Sequence, residues 1–203
     1  MIKKLYLATR NENKLREFRE LLGDTISVNS VYEVADKSIA VKEEGLTLID
    51  NAKAKAEAFS SLIDGFVIAD DSGIFVDILN GRPGVYSARY AGEKANDNDN
   101  ITKLLTELDG IPAQKRTAYF ECVIALAKNG KTIKTFNGII RGYIGDKKKG
   151  DFGFGYDPIF YIDNKSFAEL PPNVKNSISH RYKAAVKLKK FLEEYNNNEY
   201  NNE

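Results

Sequence analysis

The stretch from Thr117 to Ile144 constrains the fold more than any other part of the chain. From Thr117 to Leu126 the residues alternate, with Ala118, Phe120, Cys122, Ile124 and Leu126 on one face. Asn129-Gly130 interrupts the run, and a second extended run follows from Thr132 to Ile144. Asn-Gly between two alternating runs marks a tight hairpin, because both residues tolerate positive φ. A long antiparallel hairpin is incompatible with a purely parallel sheet, yet the rest of the chain interleaves strands with helices. Leu5 to Ala8 is a short apolar run, and beyond the polar turn 9–13 the residues Leu15, Phe18, Leu21 and Leu22 recur at helical spacing. Ile26 to Val31 alternates as a strand, Thr47 to Leu62 is an alanine-rich helix, and Asp97 to Leu108 and Ser177 to Tyr195 have further helical periodicity. Phe66 to Ala69 predicts a brief buried strand that ends at the corner Asp70-Asp71-Ser72-Gly73, with a new strand from Ile74 to Ile78. The expected fold is α/β: a mixed twisted sheet with flanking helices and two lobes around an active-site cleft. One domain would span 1–195, and the Asn-rich 196–203 would be a frayed tail.

Composition narrows the function classes. Thirty basic residues against twenty-nine acidic ones give a formal charge of +1, which points to neither nucleic acid nor a membrane surface as partner. No long uncharged apolar run suggests a transmembrane helix. Cys122 is the single cysteine and cannot form an intramolecular disulfide, and the start Met1 to Ala8 has too short an apolar stretch for a signal peptide. A cytoplasmic protein is the expectation.

Three places combine polarity with strand ends or loops, where α/β folds bind ligands. In Thr9 to Lys14, the Thr9 hydroxyl, the Asn11 and Asn13 amides, the Lys14 ammonium and the N–H groups of the following helix could bind an anion; the alternative is an ordinary N-capped surface helix. In Asp70-Asp71-Ser72-Gly73, adjacent carboxylates repel unless a cation or hydrogen bonds offset the cost, so a magnesium site or a turn stabilised by Asp side chains fits. Glu43-Glu44-Gly45 forms a second acidic corner. The third place, Asp151 to Pro158, interleaves glycines with Phe152, Phe154 and Tyr156, which would let backbone approach a ligand and offer a face to a planar base. It is followed by the cationic stretch Lys175 to Lys190, with His180 and Arg181 inside it. Cys122 and Lys147-Lys148-Lys149 read as a core residue and a solvated turn.

Together these segments resemble the non-canonical purine nucleoside triphosphate pyrophosphatases, the inosine and xanthosine triphosphate pyrophosphatase family. The resemblance runs in order through L-A-T-R-N-E-N-K, E-G-L-T-L-I-D-N-A, I-A-D-D-S-G, G-R-P-G-V-Y-S-A-R-Y-A-G, G-F-G-Y-D-P-I-F and S-I-S-H-R. It implies magnesium-dependent hydrolysis of ITP, dITP or XTP between the α and β phosphates, giving the monophosphate and pyrophosphate, by a homodimer. It implies Asp71 as the catalytic acid-base residue. The implied substrate-binding positions are Thr9, Arg10, Asn11, Glu12, Asn13 and Lys14, then Lys55 and Ser72, then Phe154, Gly155, Tyr156 and Asp157, and finally Lys175, His180 and Arg181. Asp71 and Glu43 are the implied metal ligands; Lys42 stands where the family's first Glu is usual, which makes Glu43 the substitute. On donor and acceptor types, His180, Arg181 or backbone N–H groups would suit the 6-oxo group of hypoxanthine and xanthine, with Tyr156 or Phe154 stacking on the base. The competing readings are a pyrophosphatase for modified pyrimidine or methylated nucleotides, and a nucleotide-binding module without chemistry.

Overall fold

The computed structural model describes residues 2–23 and 26–200. Seven strands lie in the order β2-β1-β3-β4-β5-β6-β7: β1 Lys4–Leu7, β2 Ser27–Ser30, β3 Val67–Val76, β4 Thr117–Lys128, β5 Lys131–Ile144, β6 Phe160–Ile162 and β7 Lys165–Ser166. β1 pairs in parallel with β2 and β3, whereas β5–β6 and β6–β7 are antiparallel, so the sheet is mixed as expected. The turn between β4 and β5 has Asn129 at φ 52° and Gly130 at φ 73°, the left-handed pair that a two-residue hairpin turn requires. The helices are α1 Glu12–Leu22, α2 Leu48–Ser60, α3 Asp97–Glu107, α4 Pro172–Ile178 and α5 His180–Tyr200. None of the described helices is long and apolar enough to cross a membrane.

The chain divides into two compact units. The first comprises Met1–Asp71, Cys122–Gly138 and Arg181–Glu203. Its main core joins Leu5, Leu7 and Ile68 of the sheet to Leu15, Phe18 and Leu22 of α1 and to Ala184, Leu188 and Leu192 of α5. α2 buries Leu48, Ala52, Ala56 and Phe59 and starts where the Thr47 hydroxyl accepts from Asp50 N at 3.1 Å. The second unit comprises Ser72–Glu121 and Ile139–His180. Its core packs Ile101, Leu104 and Leu108 against Ile74, Val76, Ala118, Phe120, Ile140 and Phe160. α3 is closed by a reciprocal capping box between Asn96 and Asp99.

Two expectations change. β3 does not stop at the acidic corner: Val67–Val76 is one ten-residue strand that carries Asp70, Asp71, Ser72 and Gly73 in its middle. Local propensity favours a turn there, but the buried side chains of Asp70 and Asp71 find tertiary partners, so no turn is needed to solvate them. Gly73 suits the strand interior, because a Cβ there would collide with the Gly84 carbonyl. The C-terminal helix is broken at Ser179, whose ψ of 162° separates α4 from α5, and α5 continues past Tyr195 to Tyr200. Asn196 accepts a hydrogen bond from Ile2 N at 2.6 Å, which extends the ordered helix into the segment expected to fray. Residues 201–203 of that segment lie outside the described residues. The short strands β6 and β7 give too little alternation to be read from sequence.

Candidate active site

Side chains of successive residues in a strand point to opposite faces, and that one rule separates Asp70 from Asp71. Asp70 shares its face with Ile68 and so meets the α1 and α5 side of the first unit. It is 1% exposed. Its Oδ2 pairs with Lys14 Nζ of α1 at 3.0 Å and accepts from Arg181 Nη2 at 3.1 Å and Nε at 3.3 Å. Arg181, 2% exposed, also donates from Nη1 to Glu17 of α1 at 2.6 Å. Burial opposes ionisation of Asp70, but Lys14, Arg181 and Lys55 together outweigh it and hold the carboxyl well below the ordinary Asp range. Two carboxylates against a guanidinium and an ammonium make this network nearly neutral, as burial of charge requires.

Asp71 points the other way, towards α2. Its Oδ2 accepts from Asn51 Nδ2 at 3.0 Å and its Oδ1 lies 3.9 Å from Lys55 Nζ. The same ammonium reaches Glu43 Oε1 at 2.7 Å and donates to the Asp70 carbonyl at 2.7 Å. Here burial wins: the Asp71 carboxyl is pushed above its ordinary value, with Glu43 repulsion adding to the shift and Lys55, Lys14 and the Asn51 bond opposing it. Lys55 moves upward as well, because Asp71, Glu43 and Asp70 outweigh its own desolvation. Two neighbouring carboxylates therefore occupy environments that favour opposite protonation behaviour, a pattern that separates a structural anion from a proton-transfer group.

The acidic corner upstream is tied to the same place. Gly45 N donates to Asn51 Oδ1 at 2.8 Å, so the side chain that holds Asp71 also holds the Glu43-Glu44-Gly45 loop. A Cβ on Gly45 would meet Asn51 and Asp50. Glu43 faces Lys55 while Glu44 pairs with exposed Lys42, which favours Glu43 over Glu44 as the acid that accompanies Asp71. As a donor set, Glu43 and Asp71 fit a hard divalent cation: two carboxylates share one ammonium, that of Lys55. Asp70 Oδ1 is buried without a hydrogen-bond partner, although the cations around Oδ2 already make this residue a structural anion.

The segment Thr9 to Lys14 is locally self-satisfied. Asn11 caps α1, its Oδ1 accepting from Asn13 N at 2.9 Å and Lys14 N at 3.2 Å, and Thr9 Oγ1 accepts from Asn11 N at 3.1 Å. Arg10 donates to the Lys37 and Ile39 carbonyls at 2.6 and 2.9 Å and lies over the Tyr32 ring. Glu12 is exposed in the first turn, and Asn13 accepts from Arg16 Nη2 at 3.0 Å.

The second unit holds the remaining expected positions. Ser72 opens its sequence within β3. Lys175 and Asp157 form a buried pair at 2.6 Å, and Asp157 Oδ2 also accepts from Phe154 N at 2.9 Å. Lys175 Nζ lies 4.9 Å from the Phe154 ring centroid, so one carboxylate fixes both the loop backbone and the ammonium above its aromatic ring. Gly153 at φ 79° has Asp157 Oδ2 where a Cβ would stand, and Gly155 N donates to Asp97 Oδ2 at 2.7 Å. Tyr156 is core: it is 5% exposed and donates to the Ser87 carbonyl at 2.8 Å, which leaves Phe154 and half-exposed Phe152 as the aromatic faces of the loop. His180 is buried with its ring stacked on Phe120, centroids 4.7 Å apart and planes 10° from parallel. Arg181, expected to offer donors to a base, directs Nη1 to Glu17 and Nε and Nη2 to Asp70.

Residues 5–191 match the model of the Ham1 family. The chain belongs to the Ham1 family. A dITP/XTP pyrophosphatase of Shouchella clausii is 48% identical over 191 residues, covering 93% of this chain and 96% of that protein. One of Bacillus subtilis is 46% identical over 196 residues, covering 95% and 98%. The structure of the Staphylococcus aureus Ham1 protein superposes with a TM-score of 0.84 at 42% identity, covering 95% of this chain and all of the other. In this Ham1 chain two residues of the constellation, Glu17 and Asn51, stand outside the positions the sequence predicts. Asn51 was detectable in principle, since Asn51 and Lys55 are polar residues four apart on the helix face that buries Ala52, Ala56 and Phe59. Glu17 carries a weaker signal, an acid three residues beyond Lys14 and beside the buried Phe18.

Proposed function

We propose that this Ham1 chain is a magnesium-dependent pyrophosphatase that cleaves non-canonical purine nucleoside triphosphates (ITP, dITP and XTP) to the monophosphate and pyrophosphate. The observation that carries the reading is the split between Asp70 and Asp71: one carboxylate is neutralised by buried cations, its neighbour is kept poised to take a proton. Asp71 and Glu43 would hold the magnesium ion, which when bound supplies charge neutralisation to phosphate oxygens and lowers the pKa of water. Asp71 orients the attacking water and accepts its proton at a carboxylate oxygen, while the Asn51 amide fixes that carboxylate. Lys55 balances Glu43 and Asp71, and the capped segment from Thr9 to Lys14 would contact phosphate chiefly through the Lys14 ammonium, whose side chain keeps 16% exposure beside Asp70. In the second unit Phe154 offers a face to the base, with Lys175, paired to Asp157, held against that ring. The same reading takes the protein as a cytoplasmic homodimer that acts on free nucleotides, with the removal of deaminated purines from the nucleotide pool as its role.

The test is incubation with magnesium and, separately, ITP, dITP, XTP, ATP, GTP and dTTP, with products resolved by chromatography and Asp71→Asn as control. Inosine or xanthosine monophosphate plus pyrophosphate, lost in the variant, is the expected result. Nucleoside diphosphate plus orthophosphate would refute attack at the α phosphorus. A preference for dTTP would shift the substrate to pyrimidines, and unaltered nucleotides would leave a binding module.

A further inference from the structure

Phe154 stands between two glycines in the left-handed region, Gly153 at φ 79° and Gly155 at φ 61°. Glycine leaves the backbone many conformations, so contacts from elsewhere must set the direction in which the Phe154 ring points. Because peptide units are planar, the backbone of Phe154 is fixed once the two peptide planes flanking its Cα are fixed. Each plane is held by a carboxylate. In the plane before it, Phe154 N donates to Asp157 Oδ2 at 2.9 Å, and in the plane after it, Gly155 N donates to Asp97 Oδ2 at 2.7 Å. The Phe154 carbonyl, in that second plane, accepts from Asp157 N at 3.3 Å.

Asp157 belongs to the loop itself, but Asp97 lies 58 residues away, at the first position of α3. An acid in the first turn of a helix is ordinarily explained by the helix dipole. That end of α3 is already closed by the reciprocal bonds of Asn96 and Asp99, and the Asp97 carboxylate is directed to the loop. Its support is braced. Asn100 of the same helix donates to the Ala88 carbonyl at 3.1 Å and accepts from Ala91 N at 2.8 Å, while Tyr156 of the loop donates to the neighbouring Ser87 carbonyl at 2.8 Å. Helix and loop are thus tied to one segment, residues 87–91.

We propose that Asp97 is a positioning residue for base recognition: by clamping the peptide after Phe154, it holds that ring in the orientation on which a planar base stacks. The proposal rests on the reading of Phe154 as the ring that faces the base. Stacking binds ground state and transition state alike, so loss of the clamp belongs in KM rather than in kcat.

Asp97→Ala, Asp97→Asn and Asp97→Ala in a Phe154→Ala background are compared by steady-state kinetics with ITP, by thermal midpoint, and by amide hydrogen exchange without substrate. Asp97→Ala removes one charge-assisted bond and is expected to raise KM about tenfold while kcat changes less than about twofold. Asp97→Asn keeps an acceptor oxygen and is expected to recover most of that loss. In the Phe154→Ala background, Asp97→Ala is expected to add nothing further. Exchange at both Phe154 N and Gly155 N is expected to accelerate in Asp97→Ala. A lowered Tm with unchanged KM would reduce Asp97 to a helix-terminus charge and overturn the proposal, as would a fall in kcat at constant KM or an equal effect with and without Phe154. Should the wild-type protein leave ITP intact, the substrate reading fails and exchange still decides the clamp: acceleration confined to Gly155 overturns it, and acceleration at both amides upholds it.

Discussion

Replacing Asp70 with Asn measures whether the buried anion is structural. The substitution preserves shape but removes the charge that faces Lys14 Nζ at 3.0 Å and Arg181 Nη2 at 3.1 Å. Breaking a buried ion pair from one side costs about 3–5 kcal/mol, because the remaining charge is left uncompensated. Two features place Asp70→Asn near the lower end: Arg181 keeps Glu17 at 2.6 Å, and the Lys14 side chain retains 16% exposure through which water can reach it. A loss of about 3 kcal/mol corresponds to a fall in Tm of about 6–12 °C for a chain of this size. The pH dependence gives a second check. The folded-state pKa of Asp70 is depressed, so its contribution is fully present above the unfolded value of about 3.9 and is lost as pH falls from there through the folded value. The gap between wild type and variant in urea denaturation is therefore expected to be constant from neutral pH to about 5 and to close in stronger acid. A gap under about 1 kcal/mol at pH 7, or one that persists unchanged at pH 3, would refute the assignment of Asp70 as a charge-paired structural anion.

Asp71→Asn should behave in the opposite sense. Its raised pKa means that the ionised form opposes folding at neutral pH, so neutralisation is expected to raise Tm while turnover falls by about 10²–10⁴; a destabilised variant would argue against it. The acid limb of kcat/KM should report a group titrating above the ordinary Asp range, with activity rising as pH increases through that value. Lys55→Met removes a charge that holds the Asp71 pKa down, so a pH–rate profile should show the acid limb displaced to higher pH; an unmoved limb would remove Lys55 from the electrostatics of the site. Gly153→Ala combines a positive φ with a collision at Asp157 Oδ2, and steady-state kinetics should show KM rising more than kcat falls as the Phe154 loop and Lys175 lose their anchor.

Local chemistry was enough to read most elements. The Asn-Gly turn, the alternation of β4 and the caps at Asn11 and Thr47 are effects of neighbouring residues on backbone preference, and such effects are written in short windows of sequence. The same windows misled at Asp70-Asp71-Ser72-Gly73, where turn propensity lost to tertiary pairing, and at Ser179, where helical periodicity concealed a break. The site residues were legible as types: carboxylates, lysines, an aromatic glycine loop. The partners of Arg181, His180 and Tyr156 were not, because they lie far away in the chain.

The sequence by itself determined that this chain makes a mixed α/β sheet and that two adjacent carboxylates sit in it, since hydrophobic period and turn chemistry act over a few residues. What holds each carboxylate, buried cations for Asp70 and an amide with an ammonium for Asp71, was decided only by tertiary structure. The alternation of β3 turns Asp70 towards Lys14 and Arg181 and Asp71 towards Asn51 and Lys55, and the placement of α1, α5 and α2 on opposite faces gives each a different field. Electrostatic energy depends on distance through space, and those distances, spanning 56 and 111 residues of chain for Lys14 and Arg181, exist only in the folded molecule.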